Sequence, residues 1–370
     1  MDTGLPTTPD APLASGLLPD ASLVLRKVDL ASLGDEAGPE YLAYDNRLRA
    51  ESHPDDPPRT LEDQLAGWRN VPKSVEIHHW EARDPAAGGI LVGRGHLQIL
   101  HQAAANAHMA AIGIAVLPER RREGIARRLL RPIADYARER GRTLLISETD
   151  ARIPAGERFL EAVGAQRGLS SHTNQLVVAD VDRASLRAYR EESARRGGGA
   201  FELVRCDSPI AEEWLVPVSA LMNAVSDDVP FGDMNLEPFH FTAEQVGEFD
   251  RARLASGGVA FCLVAREVAS GEMVGLTEMN WRKHAAYVAH QGITGVLPAY
   301  RGRGLARLLK AAMLEHLMDE RPEVRFVRTE NADSNAGILA INSALGFRPY
   351  RSETLWQVPT DRVLAYLAAR

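Results

Sequence analysis

The sequence predicts an α/β protein of the α+β type: two tandem units, each a mixed central sheet with helices on both faces. Three observations carry this. Stretches of strand pattern alternate with stretches of helix pattern along the chain. One such series occurs twice, with Gly124 and Gly304 standing 180 residues apart and two further glycine pairs, Gly93 with Gly275 and Gly164 with Gly346, each 182 apart. The chain of 370 residues, 45% hydrophobic and 25% charged, is globular in composition and long enough for two cores.

Taken in order, residues 1–22 are rich in Pro, Thr, Gly and Asp without periodicity and read as a flexible N-terminal tail. The first copy spans 23–180. It contains a strand at 112–117, a helix from 124 to about 140 that Pro132 should kink, and a strand at 143–147. Residues 181–199, a charged run ending in three glycines, read as a surface helix and a flexible joint. The second copy spans 200–370. Strands are expected at 258–268, 272–281 and 285–297, then a helix from 304 to about 320 with Leu305, Leu308, Leu309, Ala312, Met313 and Leu317 on one face. A strand at 324–329, a short helix at 335–345 and a strand at 354–358 complete it.

Several function classes are excluded. With 43 basic and 50 acidic residues the chain carries a net charge of −7, the wrong sign for a dedicated nucleic-acid binder. The two cysteines, Cys206 and Cys262, are too few for a disulfide framework or a cysteine zinc site, and both sit in apolar strand text as packed thiols. No metal site is expected, because His284 and His290 have no carboxylate at ligand spacing. The longest apolar run, 109–118, is too short to span a membrane, and no basic residue precedes Arg26, so neither membrane nor export is expected and the chain reads as cytoplasmic.

The chemistry lies in a hexapeptide. Each copy places Arg-x-x-Gly-x-Ala between an apolar strand ending in Leu-Pro and a helix: Arg121, Gly124 and Ala126 in the first, Arg301, Gly304 and Ala306 in the second. Glycine lets the backbone approach a ligand, and the helix start offers unpaired N–H groups and a positive dipole end, which together suit a pyrophosphate. The spacing is neither a Walker A loop nor a dinucleotide fingerprint.

On these residues the chain resembles the GNAT superfamily of acyl-CoA-dependent N-acetyltransferases in its tandem form, similar to two-domain enzymes of the mycothiol-synthase type. The resemblance covers roughly residues 24–360. It implies acetyl-CoA as cosubstrate. In the second copy the loop Arg301, Gly302, Arg303, Gly304, Leu305 and Ala306 would hold the pyrophosphate, as would Arg121, Arg122, Gly124 and Ala126 in the first. It also implies that the strand residues Thr294, Gly295, Val296 and Leu297 lie beside the pantetheine and acyl carbonyl. The family's later motif is matched by Asn335, Asn342, Gly346 and Phe347, but Asn342 occupies the place of the tyrosine that protonates the leaving thiolate. The first copy has Ile153 and Leu160 at the two polar slots and reads as degenerate.

Attack of an amine on a thioester needs a base. Family enzymes often carry it about eleven residues ahead of the loop, which here is His290; Glu278 on the neighbouring strand is the second candidate. Tyr287 and Tyr350 are possible thiolate donors that spacing does not rank. Backbone N–H groups at 294–296 would polarise the carbonyl. The acidic stretch 226–237, with Asp227, Asp228, Asp233 and Glu237, either attracts a cationic amine or is a solvated loop; 51–58 is its counterpart. The expected function is acetyl transfer to a small amine in the second copy. The rivals are a non-catalytic acyl-CoA sensor and a protein-amine acetyltransferase.

Overall fold

The computed structural model describes residues 23–33, 36–101 and 104–369; the expected tail at 1–22 lies outside them. The first half runs β1 (Val24–Val28), α1 (Gly38–Ser52), α2 (Leu61–Arg69), β2 (Val75–Asp84), β3 (Ile90–Leu100), β4 (Met109–Val116), α3 (Ile125–Glu139), β5 (Leu144–Asp150), α4 (Pro154–Val163), β6 (Gln166–Val177) and α5 (Arg183–Arg196). The second half repeats the series. It has β7 (Phe201–Arg205), α6 (Glu212–Ser226), α7 (Ala243–Ala255), β8 (Gly258–Glu267), β9 (Met273–Arg282), β10 (Val288–Val296), α8 (Leu305–Glu320), β11 (Phe326–Ala332), α9 (Ala336–Ala344), β12 (Arg348–Pro359) and α10 (Thr360–Ala368).

The expected pair of separate sheets is in fact one sheet of twelve strands, ordered β1-β2-β3-β4-β5-β12-β6-β11-β10-β9-β8-β7. The order reads the same from both ends once each strand is matched to its counterpart in the other half, so a pseudo-twofold axis runs between β12 and β6. The strand expected to complete the second copy pairs instead with β5 of the first, from Glu353 opposite Asp150 to Pro359 opposite Leu144. Reciprocally, β6 pairs with β11. The two exchanged strands are antiparallel neighbours along most of their length. Each carries its following helix with it: α5 packs on α8, and α10 on α3.

This explains why α8 is buried beyond the single face its sequence shows. All six expected core residues are buried, and so are Ala311, Leu314 and Met318, because α5 adds Leu186 and Tyr189 to the same cluster. The connector expected to be a surface helix with a joint is a mostly exposed helix that docks one face, with Leu186 and Ser193 buried, on α8. Pro132 sits inside α3 without ending it. Loop 227–240 is pinned across the junction: Asp233 N–H donates to the Gly168 carbonyl at 2.8 Å, and the Gln357 side chain holds both Asn235 N–H and the Asp233 carbonyl. A buried ion triad also crosses it, with Arg328 bidentate on Asp56 at 2.5 and 2.7 Å and Arg49 on the same carboxylate at 2.6 Å. Burial alone would raise the Asp56 pKa, but the two guanidiniums outweigh it and hold it low.

Interlocked strands should make the halves unfold together. Trp356 on β12 is 2% exposed and donates its indole N–H to Thr149 at 2.8 Å. Trp356→Ala should cost about 3–5 kcal/mol and move one denaturation transition that fluorescence and circular dichroism report alike. Two separable transitions would contradict the interlock.

Candidate active site

The site begins where two parallel strands part. Strand β10 pairs with β11 only from Val288 to His290, opposite Phe326 to Arg328, and beyond that it continues along β9 alone. Its register against β9 shifts between Gln291 and Thr294, a bulge that turns β10 away from β11. A side-chain chain stiffens the bulge: Gln291 Nε2 donates to the Glu278 carbonyl at 2.6 Å and to Thr277 Oγ1 at 2.9 Å, and Thr277 meets Thr294 Oγ1 at 2.7 Å. The resulting notch opens into a cavity of about 500 Å³ lined by Thr294, Gly295 and Val296 on one side and Asn335, Gly337, Ile338 and Ile341 on the other. Asn335 caps α9 by accepting from Ile338 N–H.

The far end of the same cavity is the loop Arg301, Gly302, Gly304, Leu305 and Ala306. Gly302 and Gly304 have φ of 77° and 81°, which side chains strain to adopt, and a Cβ on Gly304 would lie 2.9 Å from the Ser193 carbonyl. Gly304 is the N-cap of α8 and supplies no side-chain cap, so the first-turn amides and the positive dipole end face the cavity. Arg307 also lines it, and its Nε is buried without a hydrogen-bond partner among the described residues. These features fit a coenzyme pyrophosphate. The Arg301 guanidinium is otherwise engaged: its Nε donates to the Val296 carbonyl at 3.0 Å and its NH2 pairs with Asp228. Arg301 thus shapes the loop, and the loop's backbone faces the ligand.

Other sequence-selected residues lie outside the cavity lining. Leu297 packs in the core beneath α6, and Arg303 stacks over Tyr300 at 5.3 Å. Asn342 is 2% exposed and donates to Asn331 at 2.7 Å, leaving its Oδ1 buried without a partner. Glu278 lies beside the bulge: a Cβ on Gly292 would be 3.3 Å from its Oε1, which accepts from Asn280 at 2.6 Å and faces Arg253 at 3.7 Å. His290 stands at the apex of the notch, opposite Asn280 and Arg328. Its side chain is open to solvent; crowding by surrounding protein atoms first, and then the Arg328 and Arg282 guanidiniums, lower its pKa to about 4. Tyr287 accepts from Arg49 at 2.9 Å, and Tyr350 stacks on Arg328 at 4.4 Å; neither borders the cavity. Of the acidic stretch, Asp228 is tied to Arg301 and Asp227 to His240 at 2.7 Å.

The first half repeats the notch, since β4 pairs with β5 only through Ala111. Its cavity is about 310 Å³ and is lined by Ile112 to Ala115, Ser147 to Thr149 and, from the exchanged segment, Val358 and Val363. It includes none of Arg121, Arg122, Gly124 or Ala126. Arg121 repeats the Arg301 arrangement, with Nε on the Val116 carbonyl and both terminal nitrogens on Glu51 at 2.6 and 2.7 Å. Arg122 holds a φ of 69° where the second half has Gly302. His96, three residues past Gly93 as Glu278 is past Gly275, lies so close over Gly113 that a Cβ there would collide with its ring. Glu148, which borders this cavity with its side chain 44% exposed, has its pKa raised to about 7, by partial desolvation first and then by Glu330.

Sequence reasoning missed Arg196, Val225, Tyr300 and Arg307 as cavity residues. Val225 of α6 packs over Gly295, where a Cβ would come within 2.5 Å of it. The basic residue after Ala306 was the only available signal for Arg307; Arg196 depends on where α5 docks.

A notch between diverging strands joined to a glycine loop at a helix start is the arrangement of an acetyltransferase fold. Residues 43–165 and 224–347 both match the acetyltransferase (GNAT) family, and the chain belongs to that family, in tandem. Among solved structures it is similar to a tandem GNAT protein from the clavulanic acid biosynthesis pathway, with 27% identity over 91% of this chain and 98% of that one and a TM-score of 0.73. A GCN5-related N-acetyltransferase from Sphaerobacter thermophilus shares the fold at 16% identity, covering 93% and 97% of the two chains, with a TM-score of 0.64. So does the glucosamine N-acetyltransferase region of a fungal multi-domain β-N-acetylglucosaminidase, at 15% identity over 96% of this chain and 40% of that one, with a TM-score of 0.65. No curated protein matches in sequence. Among the described residues no helix is long and apolar enough to cross a membrane, and no cluster of three or more His, Cys, Asp or Glu is placed to hold a metal.

The recess histidines set a pH dependence. His96 is lowered to about 4, by burial and then by Arg94, against an ordinary value of 6.5. Between those values the unfolded chain binds the proton and the folded chain does not, so stability falls as pH drops from 6.5 toward 4. Urea midpoints at pH 7.5, 6 and 5 should fall more steeply for the wild type than for His96→Gln; parallel slopes would contradict the assignment.

Proposed function

We propose that this protein transfers an acetyl group from acetyl-CoA to the primary amine of a small molecule, by direct attack in a ternary complex within the second copy (200–370), while the first copy (23–180) is a degenerate scaffold. The single observation behind this reading is continuity. The second cavity runs unbroken from the bulge at Thr294 to the uncapped start of α8, whereas the first does not extend to its own loop.

Bound acetyl-CoA would supply an activated acyl carbonyl. The backbone N–H groups of Thr294 to Val296, beyond the last β10–β11 pair, would stabilise the developing oxyanion. Glu278, held by Asn280 and Arg253 beside the bulge, would take the amine's proton as the N–C bond forms and return it to the sulfur as the C–S bond breaks. This carries the proton without the hydroxyl that Asn342 lacks. His290 faces the Arg328 and Arg282 guanidiniums, which disfavour the imidazolium it would have to form as the base. The pathway of the 27%-identical tandem protein suggests a secondary metabolite or its precursor as acceptor.

One feature favours a second reading, an acyl-CoA-binding sensor: the buried, partly unpartnered Asn342 at the general-acid slot. Radiolabelled acetyl-CoA with a panel of amino acids, aminosugars, polyamines and peptides separates the two. Acetyl transfer to a small amine is expected, with Glu278→Gln lowering kcat about 100-fold and His290→Ala changing it little. Wild-type protein that binds acetyl-CoA and acetylates nothing on the panel would favour the sensor.

A further inference from the structure

We propose that Arg196, contributed by the helix that joins the two copies, binds the phosphate groups of the coenzyme in the second half. This rests on the reading that the second cavity takes acetyl-CoA, and it names a ligand-binding residue outside the repeated loop.

Arg196 follows β6 by way of α5, in the segment that joins the two copies. Because β6 pairs with β11, α5 is carried onto α8 and its last residue arrives at the start of that helix. Arg196 lines the cavity together with Gly302, Gly304 and Arg307. Its Cβ and Cδ lie 3.2 and 3.3 Å from where a Cβ on Gly304 would stand, which sets its stem directly against the N-cap of α8.

That placement has an electrostatic consequence. At the end of α5 a cation is favourable, because the helix's own C-terminal carbonyls are partly negative. The same guanidinium meets the positive end of α8, where Gly304 brings no side-chain acceptor to the first-turn amides. A cation against an uncapped helix start is repulsive unless an anion sits between them. Arg196 has one charged partner, Glu192 one turn back on α5 at 3.0 Å, and both side chains are about half exposed (50% and 49%). Such an exposed pair contributes little and yields readily to a phosphate.

A second, independent feature points to the same ligand. Tyr189, two turns earlier on α5, packs under Arg307 with the guanidinium 4.4 Å from its ring. Arg307 lines the cavity with its Nε buried and unpartnered among the described residues. The connecting helix therefore brings one arginine to the helix start and steadies another, and both guanidiniums border the space where the loop amides point. A nucleotide diphosphate or a ribose 3′-phosphate has the oxygens to satisfy both.

The test is calorimetric titration of the full-length chain with CoA and with dephospho-CoA, which lacks the 3′-phosphate. Wild type is compared with Arg196→Ala, Arg196→Lys and the neighbouring exposed control Arg195→Ala. Arg196→Ala should weaken CoA binding about tenfold, Arg196→Lys by less, and Arg195→Ala should leave it unchanged. Equal loss with both ligands assigns Arg196 to the pyrophosphate; loss confined to CoA assigns it to the 3′-phosphate. Wild-type binding that Arg196→Ala leaves intact for both ligands would overturn the inference while the cosubstrate reading stood. Absence of wild-type binding would overturn both.

Discussion

The reciprocal exchange of β6 and β12 is the constraint on which the rest of the structure depends. Each strand completes the sheet of the other half, and the two pair with each other across the pseudo-twofold axis. Several polar groups along this seam are matched across it. Glu353 on β12 accepts from Thr173 N–H and Oγ1 on β6, and Ser171 donates to Glu330 on β11. An unexchanged chain would leave no such cross-half partners, and buried carboxylates without partners are costly. The exchange also assigns walls to cavities: α5 borders the second, while β12 and α10 border the first.

With a shared scaffold, the difference between the halves reduces to a few side chains. Both loops are shaped by an arginine folded back onto its own strand and tied to a carboxylate, Arg301 with Asp228 and Arg121 with Glu51. Both notches open where parallel pairing stops. What differs is the filling. His96 crowds Gly113 in the first notch where Glu278 lies beside Gly292 in the second, Leu160 and Phe159 line the first cavity, and Ile341 and Asn335 line the second. The two halves thus share the backbone of the loop and helix start and differ in the side chains that face each notch.

Much of this was legible in the sequence. The repeat, the helix face at Leu305 to Leu317 and the loop glycines are local patterns, and local patterns survive whichever way the chain is threaded. The exchange was not legible, because β6 and β12 are counterparts with the same strand pattern, and that alternation serves equally well beside β5 or β11. Arg196 was hidden for the same reason: its surroundings are set by where α5 docks. Helix α1 was not legible because it has no side-chain N-cap and buries only Gly38, Tyr41 and Tyr44, too few for a continuous apolar stripe. The motif around Asn342 is a local pattern, but the burial of Asn342 and its bond to Asn331 are tertiary facts.

In the proposed function one half holds the coenzyme and the other supports it. The most direct measurement is the stoichiometry of acetyl-CoA binding by calorimetry, on wild type and on Gly304→Val, which places a branched side chain at a φ of 81° against the Ser193 carbonyl. The account predicts one equivalent per chain for wild type and none for the variant. Two equivalents, or one equivalent that survives the substitution, would place coenzyme in the first half and contradict it.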